Sequence, residues 1–225
     1  MVEQKKKVFW QALVFTVIIF VLGMLFGFFL EQNRADKAQF NLLESETNVL
    51  DDELRNKILD SFNVECGLAL RSTFDFADKI YLEAAKLEQY GAAAKFTDSH
   101  LFLHRRYDLL RTLLWNQAIE LKEKCGENFH TVVYLYQYDL DNLEIDSKQL
   151  FYSRLIFDLK QKYPDKVLLI PIAVNTDLSS VDLIVDSYDL EDFPKIIIDE
   201  RHIIDEIVKI EDLENIVFNA TINLK

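Results

Sequence analysis

The chain has 225 residues, half of them apolar, so it can bury one or two real cores and disorder is not its general state. Five Gly and three Pro over the whole length argue against long flexible linkers and for a chain of regular elements. The formal net charge is -13, with 20 acidic against 9 basic residues from Glu127 onward; such a surface repels phosphate backbones, which excludes nucleic acid as an expected partner.

Residues 1–7 are expected to be a short cytoplasmic N terminus, followed by a transmembrane helix over Val8–Leu30, a stretch without a charge. At 1.5 Å per residue that stretch spans about 34 Å, enough for a bilayer's hydrocarbon core. It ends in Phe28-Phe29-Leu30-Glu31-Gln32, without a small-residue cleavage site, and so reads as an uncleaved signal anchor. Lys5, Lys6 and Lys7 abut its start while Arg34 and Lys37 stand further from its end. That bias predicts a single-pass cell-membrane protein with a cytoplasmic N terminus, an extracytoplasmic C-terminal region and the lipid bilayer as a partner. Gly23 and Gly27 form a GxxxG that could pack two such helices into a homodimer.

Residues 31–126 are expected to form a helical stalk and a helical hairpin. Phe40, Leu43, Leu50 and Leu54 recur at helical spacing, interrupted by Thr47 and Lys57. A helix is predicted from Cys66 to Tyr90, with Leu70, Phe74, Ala77, Ile80, Ala84 and Leu87 on one side and Gly91 as its stop. The next begins at Thr97-Asp98, carries Leu101, Tyr107, Leu110, Leu114, Ala118 and Leu121, and stops at Gly126. Antiparallel pairing of the two brings Cys66 beside Cys125, the only cysteines, and predicts a structural disulfide between them. His100 and His104 have the i, i+4 spacing of a metal pair, but no nearby Glu or Cys completes a ligand set, and no metal or other cofactor is expected.

Residues 127–225 read as a domain with strands. Thr131–Tyr138 is β-branched and aromatic, a helix follows from about Ile145 to Lys162, and Val167–Val174 is a nearly continuous apolar run of the kind buried on both faces. The pair with its crossover helix predicts a parallel βαβ unit. A shorter helix near Leu178–Tyr188, a strand at Lys195–Ile198, a turn at Glu200-Arg201, a strand at Ile203-Ile204 and a helix from Glu211 complete the order. Asp139, Asp141, Glu144 and Asp146 gather at the start of the first of these helices, where carboxylates are favourable in themselves. Leu143 and the lack of a central glycine break the pattern of a calcium loop. Asn219-Ala220-Thr221 is a possible glycosylation sequon.

This order, with Phe193-Pro194 before the strand Lys195-Ile196-Ile197-Ile198, resembles the thioredoxin-like fold over about Asn128 to Val217. The fold class expected is an α/β thioredoxin-like C-terminal domain preceded by a transmembrane helix and an α-helical hairpin region. The resemblance implies a cis peptide at Phe193-Pro194 and a binding groove beside it, with Tyr138, Phe193 and Pro194 as contacts. It also implies a CxxC after the first strand, but Tyr138-Asp139-Leu140-Asp141-Asn142-Leu143 stands there, and no cysteine lies beyond Cys125. Thiol-disulfide exchange at that place is impossible, and no catalytic residue is assigned. The function expected is a redox-inactive, membrane-anchored binding or scaffolding protein with a protein partner. Two alternatives stay open: a thiol-disulfide oxidoreductase using Cys66 and Cys125, and a purely structural helical protein associated with the membrane.

Overall fold

The computed structural model describes residues 10, 13–29, 50–51, 53–55, 57–59, 61–62, 64–91, 98–126, 129–139 and 141–219, and of 86–91, 98–100 and 219 the backbone alone. The chain divides into two compact units, Met1–Lys57 and Ile58–Lys225. In the first, 13–29 is an unbroken helical run whose side chains are all exposed. Gly23 and Gly27 lie on it, with nothing within 4 Å of where a Cβ would stand at either. Phe40, Leu43, Thr47 and the basic residues that flank the apolar run lie outside the described residues.

The second unit holds α1 (Cys66–Gly91), α2 (Asp98–Cys125), β1 (His130–Tyr136), α3 (Leu143–Lys162), β2 (Val167–Ala173), α4 (Ser179–Ser187), β3 (Lys195–Ile198), β4 (His202–Ile204) and α5 (Ile210–Asn219). Gly126 takes φ +84 and donates its N–H to the Lys122 carbonyl, so the left-handed residue that closes α2 is one without a Cβ. Asn142 caps α3, its side-chain oxygen accepting from the N–H groups of Glu144 and Ile145 at 3.0 and 3.3 Å. The strands form one sheet in the order β2-β1-β3-β4. β1 and β2 are parallel, with Thr131 opposite Leu168, and β3 runs antiparallel to both β1 and β4, with Leu135 opposite Lys195. The Phe193-Pro194 peptide is cis.

Side chains alternate across the strands. Val132, Tyr134, Ile196 and Ile198 pack with Ile156 and Leu159 of α3 and Leu213 and Val217 of α5. Val133, Leu135, Leu168, Ile170, Ile172 and Ile197 point to the other face, where α2 lies on β1 and β2 and touches α4. The edge of β2 is blunted rather than left as a template for another chain. Pro171 has no N–H, the Ala173 N–H goes to Asp108 Oδ1, and the Val167 carbonyl accepts from Lys160 Nζ.

The fold class expected from the sequence is corrected here. Among the described residues the structure is mainly helical, with a small mixed four-stranded sheet, because α1 and α2, of 26 and 28 residues, pack on the sheet and outweigh strands as short as 4 and 3 residues. The transmembrane helix expected over Val8–Leu30 is not supported either: among the described residues no helix is long and apolar enough to cross a membrane.

Cys66 and Cys125 are joined in a disulfide, with 5.6 Å between their Cα atoms. The antiparallel hairpin sets the start of α1 against the end of α2, as the spacing of the two helices predicts. A few residues before Cys125, Lys122 ties α2 to the sheet. Its ammonium is 8% exposed and reaches Thr131 Oγ1 at 2.7 Å, Asp199 Oδ1 at 2.6 Å and Glu200 Oε2 at 3.1 Å.

Candidate functional site

The end of the sheet where β1 and β2 finish is organised by one face of α2. His104, Asp108 and Arg111 recur at helical spacing and so project together. Asp108 is fully buried; its Oδ2 meets His104 Nδ1 at 3.0 Å, and its Oδ1 takes the Ala173 N–H at 3.2 Å and stands 3.4 Å from Arg111. With a carboxylate on Nδ1, that nitrogen is the donor of the pair, and in the neutral ring Nε2 is the acceptor. The Tyr136 hydroxyl stands 3.3 Å from Nε2. Asp108, His104 and Tyr136 thus form a chain of the order acid, imidazole, hydroxyl, which can hold and orient a proton at the end of β1.

Tyr138 completes the cluster. Its ring lies 4.0 Å from that of His104, and its backbone exchanges two hydrogen bonds with the Asn175 side chain, at 2.6 and 2.8 Å. Burial, with Asp139 adding to it, holds its hydroxyl above the ordinary tyrosine range, so Tyr138 remains a neutral donor at physiological pH. The loop after β2 is fastened to the same helix, since Arg105 donates to the Thr176 carbonyl at 2.6 Å and to Asp177 Oδ2 at 2.8 Å. Asp139 and Asp177 both take φ 53 in these loops.

Of the residues expected to bind, Tyr138 is part of this cluster. Phe193, half-buried, and Pro194, buried, precede the Lys195 that pairs with Leu135, and so stand at the same end of the sheet. Glu144 and Asp146 sit in the first turn of α3. Among the described residues no group of three or more His, Cys, Asp or Glu could hold a metal ion. The His100 side chain lies outside the description, as do Ala220 and Thr221 of the sequon, while Asn219 closes α5. The sequence reading missed His104 with Asp108: their i, i+4 spacing is visible in the chain, but the Tyr136 that gives it meaning is brought in only by the fold.

Beside the cluster, a groove of about 600 Å³ runs between α1 and α3 along the edge of β2, and Tyr136 and Arg111 line its inner end. Lys160 lines it too, bonded to the carbonyls of Pro164 and Val167. Burial lowers the pKa of its ammonium against the opposing pull of Asp78 and Asp165.

No family model, no curated protein and no solved structure matches the chain.

Proposed function

We propose that the chain is a redox-inactive binding module, similar over about Asn128 to Val217 to the thioredoxin-like proteins but without their thiol chemistry, and that it takes a protein partner at the end of β1. One observation carries this reading. At the place where the resemblance implies a reactive thiol, the chain has Tyr138, its ring against the His104 of α2, which in turn meets Asp108 and the Tyr136 hydroxyl at the end of β1. The strand order β2-β1-β3-β4 supports the resemblance, and the absence of any cysteine beyond Cys125 supports the loss of redox chemistry. Neutral aromatic groups that offer an apolar body and a polar tip suit a protein contact.

The compartment belongs to the same proposal. Cys66 is exposed and Cys125 partly so, and a bond between accessible thiols persists where the surroundings are oxidising, outside the cytoplasm. Acid-quenched cells labelled with a thiol reagent should show no free thiol on the chain; two free thiols would remove the compartment from the reading. For the partner, photo-crosslinking side chains at Tyr138 and at Phe193 of the full chain should capture one and the same protein, and one at Leu183 of α4 should not. Capture that does not depend on position would defeat the assignment. Catalytic turnover of a dithiol substrate that vanishes in Cys66→Ser/Cys125→Ser would instead favour the oxidoreductase alternative.

A further inference from the structure

A groove lies between α1 and α3. Ala77, Ala84 and Ala85 set its α1 wall back, and Leu169 and Pro171 form its floor. Its volume of about 600 Å³ falls in the range of small-molecule pockets, about 300–1,000 Å³. Arg111, Arg154 and Lys160 are the cations that line it, and of these Arg111 is the recessed one, its side chain 12% exposed, while Arg154 is exposed and Lys160 is already bonded to two carbonyls.

Arg111 is held by a single long contact that leaves most of its donors unused. Among the described residues it makes one side-chain hydrogen bond, to Asp108 Oδ1 at a long 3.4 Å, and that carboxylate is shared with His104 and the Ala173 N–H. A guanidinium has five N–H donors in a planar fork, so most of them are free to meet an anion. The fork matches a carboxylate two-to-two, and out of bulk water each such bond is stronger than on a surface. Asp78 and Asp146 also line the groove, but both are exposed and screened by solvent.

We propose that this groove binds a small amphipathic carboxylate, its head on Arg111 and its apolar tail along Leu169 and Pro171 between Tyr81 and Phe157. The proposal does not rest on the protein-partner reading, since the crosslinking at Tyr138 and Phe193 can fail while the groove binds, and the reverse.

Calorimetry on the full chain, with straight-chain carboxylates of rising length and the matched primary alcohols, decides it. Affinity should rise roughly fourfold per added CH₂, and each acid should bind at least tenfold tighter than its alcohol. Arg111→Gln should erase the preference for the acid and leave alcohol binding alone, and Ala84→Trp should stop both. The comparison of acid with alcohol is read on the unaltered chain, so it stands even if a variant fails to fold. Equal binding of acid and alcohol, no binding of either, or an acid preference that survives in folded Arg111→Gln would each overturn the proposal. So would an apolar tripeptide that binds tighter than any acid, because the occupant would then be a peptide end.

Discussion

Asp199 and Glu200 close the β3–β4 turn at φ 47 and φ 61, left-handed positions taken by two residues that are not glycine. Each costs on the order of 1–3 kcal/mol and persists only where the surroundings hold it. Here Trp115 Nε1 and Thr131 Oγ1 donate to Glu200 Oε1, at 2.8 and 2.6 Å, and Lys122 and His130 grip Asp199, each at 2.6 Å. Burial alone would raise the Asp199 pKa, but the hydrogen bonds from His130 and Lys122 outweigh it and leave the carboxyl below its ordinary value of 3.8. A depressed acid contributes stability that is complete above its unfolded pKa and is lost as pH falls through the folded one. The unfolding free energy should therefore drop as pH falls below about 4, and the gap between the native chain and Asp199→Asn should narrow over the same range; urea titrations from pH 5 to pH 2 measure it. A gap that stays constant would mean that the ionisation of Asp199 does not hold the turn. Tyr152 is the opposite case. It is fully buried, its hydroxyl finds no hydrogen-bond partner among the described residues, and burial, with Asp205 and Glu206 adding to it, pushes its pKa up to about 12. An unpaired buried hydroxyl costs about 1–3 kcal/mol, so Tyr152→Phe should leave stability unchanged or raise it by about 1 kcal/mol. A loss of more than that in denaturant melts would show that the hydroxyl is satisfied in solution.

At the scale of elements, the disulfide closes a loop with a sequence separation of 59, which in the chain-entropy account stabilises the fold by about 4 kcal/mol. Cys66→Ser/Cys125→Ser should lower the urea midpoint accordingly with little change in slope, and an unchanged midpoint would show that α1 and α2 hold each other without the bond. That pairing was legible because it needs only two helices, a short turn and the positions of two residues. The apolar seam of α2 was legible for the same reason: Tyr107, Leu110, Leu114, Ala118 and Leu121 are all buried, although Leu101 is exposed. On α1, Ile80 is buried as expected, but the deepest positions also include Ala69, Thr73 and Phe76, beside Leu70, Phe74 and Ala77. Helix α1 meets both α2 and β2, so its buried stripe is wider than one apolar row. The same sandwiching of α2 between α1 and the sheet buries Trp115, Asp108, Gln117 and Lys122. Apolar periodicity cannot find a second stripe made of polar residues, and both the Asp108–His104 pair and the Lys122 network lie on it. The strands and their succession along the chain were readable from β-branched runs and turn residues. The weight of helix over sheet was not, because it depends on what covers the sheet rather than on the strands themselves.

For the molecule as a whole, the sheet and the hairpin belong to one compact unit, Ile58–Lys225. Val133, Leu135, Leu168, Ile170 and Ile172 are fully buried on the face that α2 covers. Exposing five such side chains costs on the order of 1.5–3 kcal/mol each, which together matches the whole stability of a typical domain, about 5–15 kcal/mol. Removing the hairpin would also take Lys122 away from Asp199 and Glu200, leaving two carboxylates crowded at a strained turn. The segment 127–225 should therefore not fold by itself. Expressed alone it should show no cooperative thermal transition and poorly dispersed amide resonances, whereas the full chain should show both a single transition for this unit and dispersed signals. A sharp melt and a dispersed spectrum from 127–225 would mean that α1 and α2 merely decorate the sheet. The groove and the Asp108–His104–Tyr136 chain would then be dispensable for the fold, since each draws residues from the hairpin and from the sheet unit, and neither exists without both.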